Sequence, residues 1–278
     1  MKVLITGSNG QLGNELRSCS AGSNFLFEDV DTLDITNHAQ VEKYFIDNSV
    51  EAVINGAAYT AVDKAESDVG MAFKVNRDGV AVLSDICKKH NAFMLHVSTD
   101  YVFDGTASEP YKEDAVTNPQ SVYGVSKLAG ENAMIISGVN GAIVRTSWLY
   151  SSFGNNFVKT MLRLAGERDE LRVVNDQYGS PTYAADLAAV LLKLLTVAHS
   201  GLQIYNYANN GVCSWHEFAS EIIRQKGLGC KVIPVPTAEY PTAAVRPRYS
   251  VLDTSKIATK LNIKIPAWQH SLEQMLSN

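Results

Sequence analysis

The sequence predicts an α/β chain organised around a doubly wound parallel sheet. Three observations carry that expectation. An apolar run at residues 3–6 leads through glycines into a helix-compatible segment. Short apolar runs then alternate with amphipathic segments as far as about residue 150, which is the rhythm of βα units. The stretches that follow the apolar runs collect small, hydroxyl and acidic residues, as expected of loops at the carboxyl ends of parallel strands. With 278 residues, 46% of them hydrophobic, there is ample material for a core.

The opening turn reads Gly7-x-x-Gly10-x-x-Gly13. Residues without side chains let backbone N–H groups and a helix N-terminus approach a diphosphate, so a Rossmann-type dinucleotide site is expected here, with a plain βα turn as the other reading. The next strand is expected at residues 25–30. Asp29 near its end is placed to bond an adenosine ribose; its carboxylate would repel a 2′-phosphate and so favours NADH, while NADPH stays open and Asp29 also reads as a solvated strand end. Asp34, followed by Ile35, is either a second contact near the adenine or the start of a helix cap.

A helix is expected at 37–48 and a buried strand at 52–55. After that strand, Ala58, Tyr59 and Thr60 occupy a loop that either lines the cofactor crevice or is a structural connection. Residues 71–90 read as one long helix, with Asn76 as its odd polar member, functional or a satisfied buried amide. A central strand at 93–98 empties into Thr99, placed to hydrogen-bond a reacting oxygen. A helix then begins near Ser121 and carries Tyr123 and Lys127 on one face. Residues four apart lie roughly 5–6 Å between Cβ atoms, so an ammonium could bias the phenol and tune its proton transfer. An ordinary exposed helix shows the same spacing.

A strand is expected at 141–150, where Trp148 either stacks on a sugar or base or belongs to the core. Beyond it come a helix at 156–167, a strand at 171–174 and a leucine-rich helix at 182–196. Ser214-Trp215-His216-Glu217 is a capping box opening a helix at 215–226. The loop at 241–250 holds Arg246 and Arg248, which could grip a diphosphate or stay solvated. Helices at 254–261 and 267–276 close the chain. The expected division is 1–150 with about 179–198 as a dinucleotide domain, interleaved with about 151–178 and 199–278 as a smaller α/β substrate lobe.

The net charge of -5 gives no basic footprint for nucleic acid and no sign of an anionic-membrane surface. No apolar stretch reaches membrane-spanning length, and the start runs straight into a strand, so the expected compartment is cytoplasmic. Cys19, Cys87, Cys213 and Cys230 are scattered and read as reduced thiols. No metal-ligand spacing is seen.

These motifs resemble the extended short-chain dehydrogenases/reductases, and the longer stretches at 57–66, 98–103, 145–148, 154–157 and 175–179, with Arg246-Pro247, resemble the dTDP-4-dehydrorhamnose reductase family nearly end to end. The resemblance implies reduction of the C4 ketone of dTDP-4-dehydro-L-rhamnose to dTDP-L-rhamnose by NADPH or NADH, in a pathway toward surface polysaccharide. Tyr123 becomes the proton donor, Lys127 the partner of the nicotinamide ribose that lowers the tyrosine pKa, and Thr99 the holder of the keto oxygen. Gly10, Gln11 and Leu12 carry over to the diphosphate turn, Asp29, Asp34 and Ile35 to the adenosine end, Ala58, Tyr59, Thr60 and Val97 to the crevice, and Asp100, Trp148 and Arg246 to the sugar nucleotide. Some members dimerise around magnesium; Glu15 matches one ligand position, but Ala185 stands at the second, with Asp186 beside it. A homodimer is therefore allowed and no metal is predicted. Other sugar-nucleotide reductases, epimerases or dehydratases, and a non-catalytic regulatory subunit like that of methionine adenosyltransferase, are the alternatives; Tyr101 in place of an acid/base glutamate argues against dehydration.

Overall fold

The computed structural model describes residues 1–20, 24–197 and 200–277; the expected lobe boundary at 198–199 lies outside them. In chain order the nucleotide-domain elements are β1 (Val3–Thr6), α1 (Gln11–Cys19), β2 (Phe25–Glu28), α2 (His38–Asn48), β3 (Ala52–Asn55), α3 (Val62–Ala65), α4 (Val69–Phe73), α5 (Val80–Lys89), β4 (Phe93–Thr99), α6 (Val122–Ser137) and β5 (Gly141–Thr146). Then follow β6 (Leu149–Tyr150), α7 (Phe157–Glu167), β7 (Glu170–Val174), β8 (Tyr178–Gly179), β9 (Thr182–Tyr183), α8 (Ala184–Leu194), β10 (Leu202–Asn206), β11 (Cys213–Ser214), α9 (Trp215–Gln225), β12 (Lys231–Val235), α10 (Ser255–Leu261) and α11 (Trp268–Ser277).

Among the described residues the main sheet has six strands in the order β10-β5-β4-β3-β1-β2, and each pairing is parallel. The chain runs outward from β1 to β2 and then crosses back to β3 on the other side of β1, which puts a topological switch, and so a crevice, at the carboxyl ends of β1 and β3. Both faces are covered. Residues such as Val3, Ile5 and Ile54 pack with Leu12 and Leu16 of α1, Leu187 and Leu191 of α8 and Ile257 of α10. The alternate residues Leu4, Val53 and Met94 pack with Val41 of α2, Leu83 of α5 and Met134 of α6. Strands buried on both faces read as continuous apolar runs, which is why they were legible in the sequence.

The structure departs from expectation at several joints. β2 stops at Glu28 because the Asp29 carbonyl turns to accept the N–H groups of Thr32 and Leu33. The expected helix at 71–90 is interrupted between α4 and α5 by a π-helical stretch, Lys74–Gly79. The expected strand at 141–150 breaks after Thr146: Trp148 adopts a φ of 47°, and the chain leaves the main sheet as β6 to pair with β9. Thr182 and Tyr183 form that short strand rather than the first turn of α8. β10, within the stretch assigned to the lobe, is the edge strand beside β5 in the main sheet.

The second layer packs around its own core, where Val158 and Met161 of α7, Phe218 and Ile222 of α9, and Trp268 and Leu272 of α11 meet Leu171 and Val173 of β7. The capping box opening α9 is present, Ser214 accepting from the Glu217 N–H while the Glu217 carboxylate accepts from the Ser214 N–H. No helix among the described residues is long and apolar enough to cross a membrane.

Candidate active site

A cleft of about 810 Å3 opens at the switch point, between the loops of the main sheet and the second layer. Its floor is the glycine turn. Gly7 has a φ of +68°, and a Cβ there would lie 2.7 Å from backbone atoms of Gly56 and Ala57, so the loops after β1 and β3 touch only because Gly7 has no side chain. Gly13 does not line the cleft; it lets α1 seat on the turn, where a Cβ would lie 2.5 Å from Ser8. α1 starts at Gly10 with no side-chain cap, which leaves its first N–H groups free to bind an anion together with the positive end of the helix dipole. The turn and helix therefore fit the diphosphate of a dinucleotide.

Beyond the glycine turn, Asp29 closes the loop on itself: its carboxylate accepts the N–H of Asn9 at 2.8 Å and of Val30 at 2.8 Å. Asp34 faces the same end of the cleft. It accepts the N–H and hydroxyl of Thr36, which holds its carboxyl below the usual range. The cap of α2 is Asn37, which accepts from Gln40, so Asp34 shapes the approach to the helix rather than capping it.

Ala58, Tyr59 and Thr60 line the cleft, and the π-helical stretch explains how they are held. It turns the Asn76 amide outward to accept the Tyr59 N–H at 2.8 Å and donate to the Tyr59 carbonyl at 3.1 Å and the Ser126 hydroxyl at 2.9 Å. Asn76 is thus a satisfied buried amide that ties the β3 loop to α6. The close fit needs Gly130, where a Cβ would stand 2.1 Å from the Asn76 carbonyl. A π-bulge beside a site is a recurrent arrangement, but its cause here is tertiary.

Elsewhere the cleft brings together the three candidate catalytic residues, Thr99 at the end of β4 and Tyr123 and Lys127 of α6. Ser121 caps α6 by accepting the Gly124 N–H. Tyr123 sits edge-on to Tyr101, ring centroids 5.5 Å apart. Burial pushes the phenol up to about 12, with a hydrogen bond to Thr99 working against the rise. The phenol is therefore held protonated, as a donor; the influence that lowers it is the bond to Thr99, and the lowering by Lys127 that the sequence suggested is not among the causes of the shift. The Lys127 ammonium donates to the Val97 carbonyl at 2.7 Å, and burial draws it down to about 8, opposed by Glu131. The Thr99 hydroxyl gives its one hydrogen to Asp100 at 3.0 Å. Asp100 is buried and pushed up to about 6 by desolvation, against hydrogen bonds from Ser250 and Thr99.

Toward the second layer the wall is aromatic. Trp148 stacks on Trp215 with centroids 3.5 Å apart and planes 10° from parallel, and the space for the indole exists because residue 179 is glycine. Trp215 was read only as part of a capping box; its place on the wall comes from a contact across 67 residues that no local pattern carries. Asn155 and Asn156 also line the cleft, Asn156 donating to the Gln11 side chain at 3.0 Å. Arg246 stands outside the cleft wall, its guanidinium on Asp63 at 2.6 Å, and it holds the 241–250 loop against α3. Glu15 is buried and accepts from Ser151 at 2.6 Å, while Asp186 accepts from Asn209 and Ser271. All four cysteines carry free thiols.

A family model described as the RmlD substrate binding domain matches residues 1–278. The chain belongs to this family. Its relatives include a dTDP-4-dehydrorhamnose reductase of Aggregatibacter actinomycetemcomitans, 42% identical over 99% of this chain and 98% of the relative. A solved dTDP-4-dehydrorhamnose reductase of Clostridium acetobutylicum is 43% identical, with a TM-score of 0.94, over 100% of this chain and 99% of that one. The enzyme of the same name from Bacillus anthracis, solved in complex with NADP, is 39% identical with a TM-score of 0.95, over 99% of this chain and 98% of that one.

Proposed function

We propose that this member of the RmlD substrate binding domain family is an NAD(P)H-dependent dTDP-4-dehydrorhamnose reductase, converting dTDP-4-dehydro-L-rhamnose to dTDP-L-rhamnose. The observation that carries the reading is the convergence of Thr99, Tyr123 and Lys127 at one end of a cleft whose other end is an uncapped helix N-terminus beside a side-chain-free turn.

Bound NADPH or NADH would supply the hydride to C4 of the sugar. The phenol of Tyr123 then gives its proton to the developing C4 alkoxide, and solvent restores it. Thr99 orients the same oxygen when its single hydroxyl hydrogen turns from Asp100 to the substrate, and Asp100 faces the sugar. Lys127 offsets the negative charge left on Tyr123 and bonds the nicotinamide ribose. Gly10, Gln11 and Leu12 hold the diphosphate, and Asp29, Asp34 and Ile35 the adenosine. Trp148, backed by Trp215, gives the sugar nucleotide a flat apolar face. We place the enzyme in the cytoplasm as a homodimer, the latter tested by sedimentation of the purified protein.

Two outcomes follow from the site. The kcat/KM profile should fall above pH about 8 as Lys127 loses its proton, since only the charged lysine can balance a tyrosinate; a profile still level at pH ~10, where a free lysine titrates, would contradict that role. Replacement of Trp215 by alanine should raise KM for the sugar nucleotide about 3- to 10-fold, the worth of one aromatic stack, and leave cofactor affinity unchanged. Equal loss of cofactor binding would place Trp215 elsewhere in the mechanism. The reading itself is tested by nicotinamide oxidation that requires both the protein and the keto sugar.

A further inference from the structure

Behind Lys127 lies an ion pair with no part in the mechanism above. Glu131 is fully buried and one helical turn on from Lys127. Its carboxylate accepts the Ser98 hydroxyl at 2.5 Å, Arg145 Nε at 3.0 Å and Arg145 Nη2 at 2.7 Å. Arg145, 3% exposed, spends its remaining nitrogen on the Glu113 carbonyl at 3.1 Å and lies over the Phe103 ring, 5.1 Å from its centroid. α6, β4 and β5 each contribute one member. Stability does not call for such a group, because apolar residues of similar volume commonly hold a core as well as a buried pair or better.

The pair does have an electrostatic use. Lys127 is 2% exposed, and its hydrogen-bond acceptor, the Val97 carbonyl, is neutral. The charged and titratable groups that act on it are Glu131 from α6 and His96 from β4; Tyr123 from α6 and Asp100 from the turn beyond β4 line the same cleft, and Arg145 from β5 lies behind Glu131. His96 is held neutral by burial and by the lysine itself. Tyr123 is neutral until it gives up its proton. Asp100, pushed up to about 6, is also anionic where the lysine titrates, but it sits in the turn beyond β4; Glu131 is the anion on the helix that carries the lysine, and its bidentate clamp fixes where that charge sits.

We propose that Glu131, clamped by Arg145 and Ser98, is a positioning residue that keeps the buried Lys127 ammonium charged at the reacting centre. The clamp on both carboxylate oxygens holds Glu131 in place and prevents it from swinging onto the lysine, so that the ammonium stays on the Val97 carbonyl with its remaining hydrogens toward the cleft. The proposal rests on the reading of Lys127 given above, and its test has an arm that needs no substrate.

The first readout is the titration midpoint of the Lys127 side chain, followed by NMR on protein isotope-labelled at its lysines and assigned by the signal lost in Lys127→Arg. In Glu131→Gln, which keeps the shape and removes the charge, the midpoint should fall by about one pH unit, the lower range for loss of an adjacent opposite charge. The basic limb of kcat/KM should move down with it. Arg145→Met breaks the same pair from the other side and removes only positive charge, so there the midpoint should not fall. A role in packing alone predicts lower melting temperatures for both variants with no movement of the midpoint. Either that result or equal falls in the two variants would overturn the proposal. Should Glu131→Gln fail to fold, a midpoint in Arg145→Met below the wild-type value would be enough to reject it. If the wild-type protein turns over no keto sugar, the functional reading fails, while the NMR comparison still decides whether Glu131 holds the charge on Lys127.

Discussion

Replacing Tyr123 with phenylalanine should lower kcat by about 10^2- to 10^4-fold, the usual worth of a positioned proton donor, and leave nicotinamide affinity within a factor of ~3. The separation follows from where the hydroxyl sits. It bonds Thr99 and, in the proposed mechanism, the reacting oxygen, whereas that mechanism assigns cofactor affinity to the turn of Gly7 and Gly10, the N-terminus of α1 and the end of the cleft lined by Asp29 and Asp34. Burial, which pushes the phenol up to about 12, has already ensured that the group is a protonated donor at neutral pH, so no ionisation precedes the step. Steady-state rates beside cofactor titration by fluorescence quenching are the check. A variant turning over at the wild-type rate would remove Tyr123 from the mechanism; one that lost cofactor binding in parallel would make it a structural residue.

The second large effect is expected from Gly7→Ala. A residue with a side chain at a φ of +68° carries about 1–2 kcal/mol of backbone strain, and its methyl would overlap the Gly56 and Ala57 backbone at 2.7 Å, which adds a packing cost of about 1–3 kcal/mol. Neither partner is a flexible side chain that can step aside. The loss should therefore be about 3 kcal/mol in denaturant unfolding, and because the displaced backbone is the floor of the cleft, nicotinamide affinity should fall at least tenfold, ~1.4 kcal/mol. Gly10→Ala makes the useful contrast: it has no positive φ, and its closest neighbour would be the Gly7 carbonyl at 3.2 Å. It should cost clearly less. Equal stability of Gly7→Ala and wild type would show that the turn is looser than its contacts imply.

What could be read from the sequence was whatever local chemistry dictates. The strand, glycine turn and helix at the start follow from an apolar run and three spaced glycines. The capping box at Ser214 and Glu217 is a complete hydrogen-bonding unit within four residues, and the spacing of Tyr123 and Lys127 is set by one helical turn. Thr99 was placed by its position at the end of a strand. The missed features depend on partners far along the chain. The π-helical stretch exists because Asn76 reaches Tyr59 and Ser126 and because Gly130 admits its carbonyl, none of which appears in the 71–90 pattern. β5 and β6 read as one strand because no glycine or proline separates the apolar run 142–144 from Trp148, Leu149 and Tyr150, the polar Arg145, Thr146 and Ser147 between them being compatible with a strand; the break at Trp148 comes from β9 accepting the chain as a new partner. β8, β9 and β11 are two residues each, too short to carry a period of two. Arg246 finds Asp63 across 183 residues. The ends of the cleft were therefore legible, while the aromatic wall at Trp215 and the clamp behind Lys127 were not.

The most direct test of the account is the nicotinamide absorbance of the purified protein with dTDP-4-dehydro-L-rhamnose generated in place, NADPH and NADH in separate cuvettes, and Tyr123→Phe alongside. The account predicts oxidation of at least one cofactor that depends on the protein, consumes one equivalent per keto sugar, and nearly vanishes in the variant. Cofactor binding without oxidation of either nicotinamide would contradict it, and would mean that the cleft serves another ketone or no turnover at all.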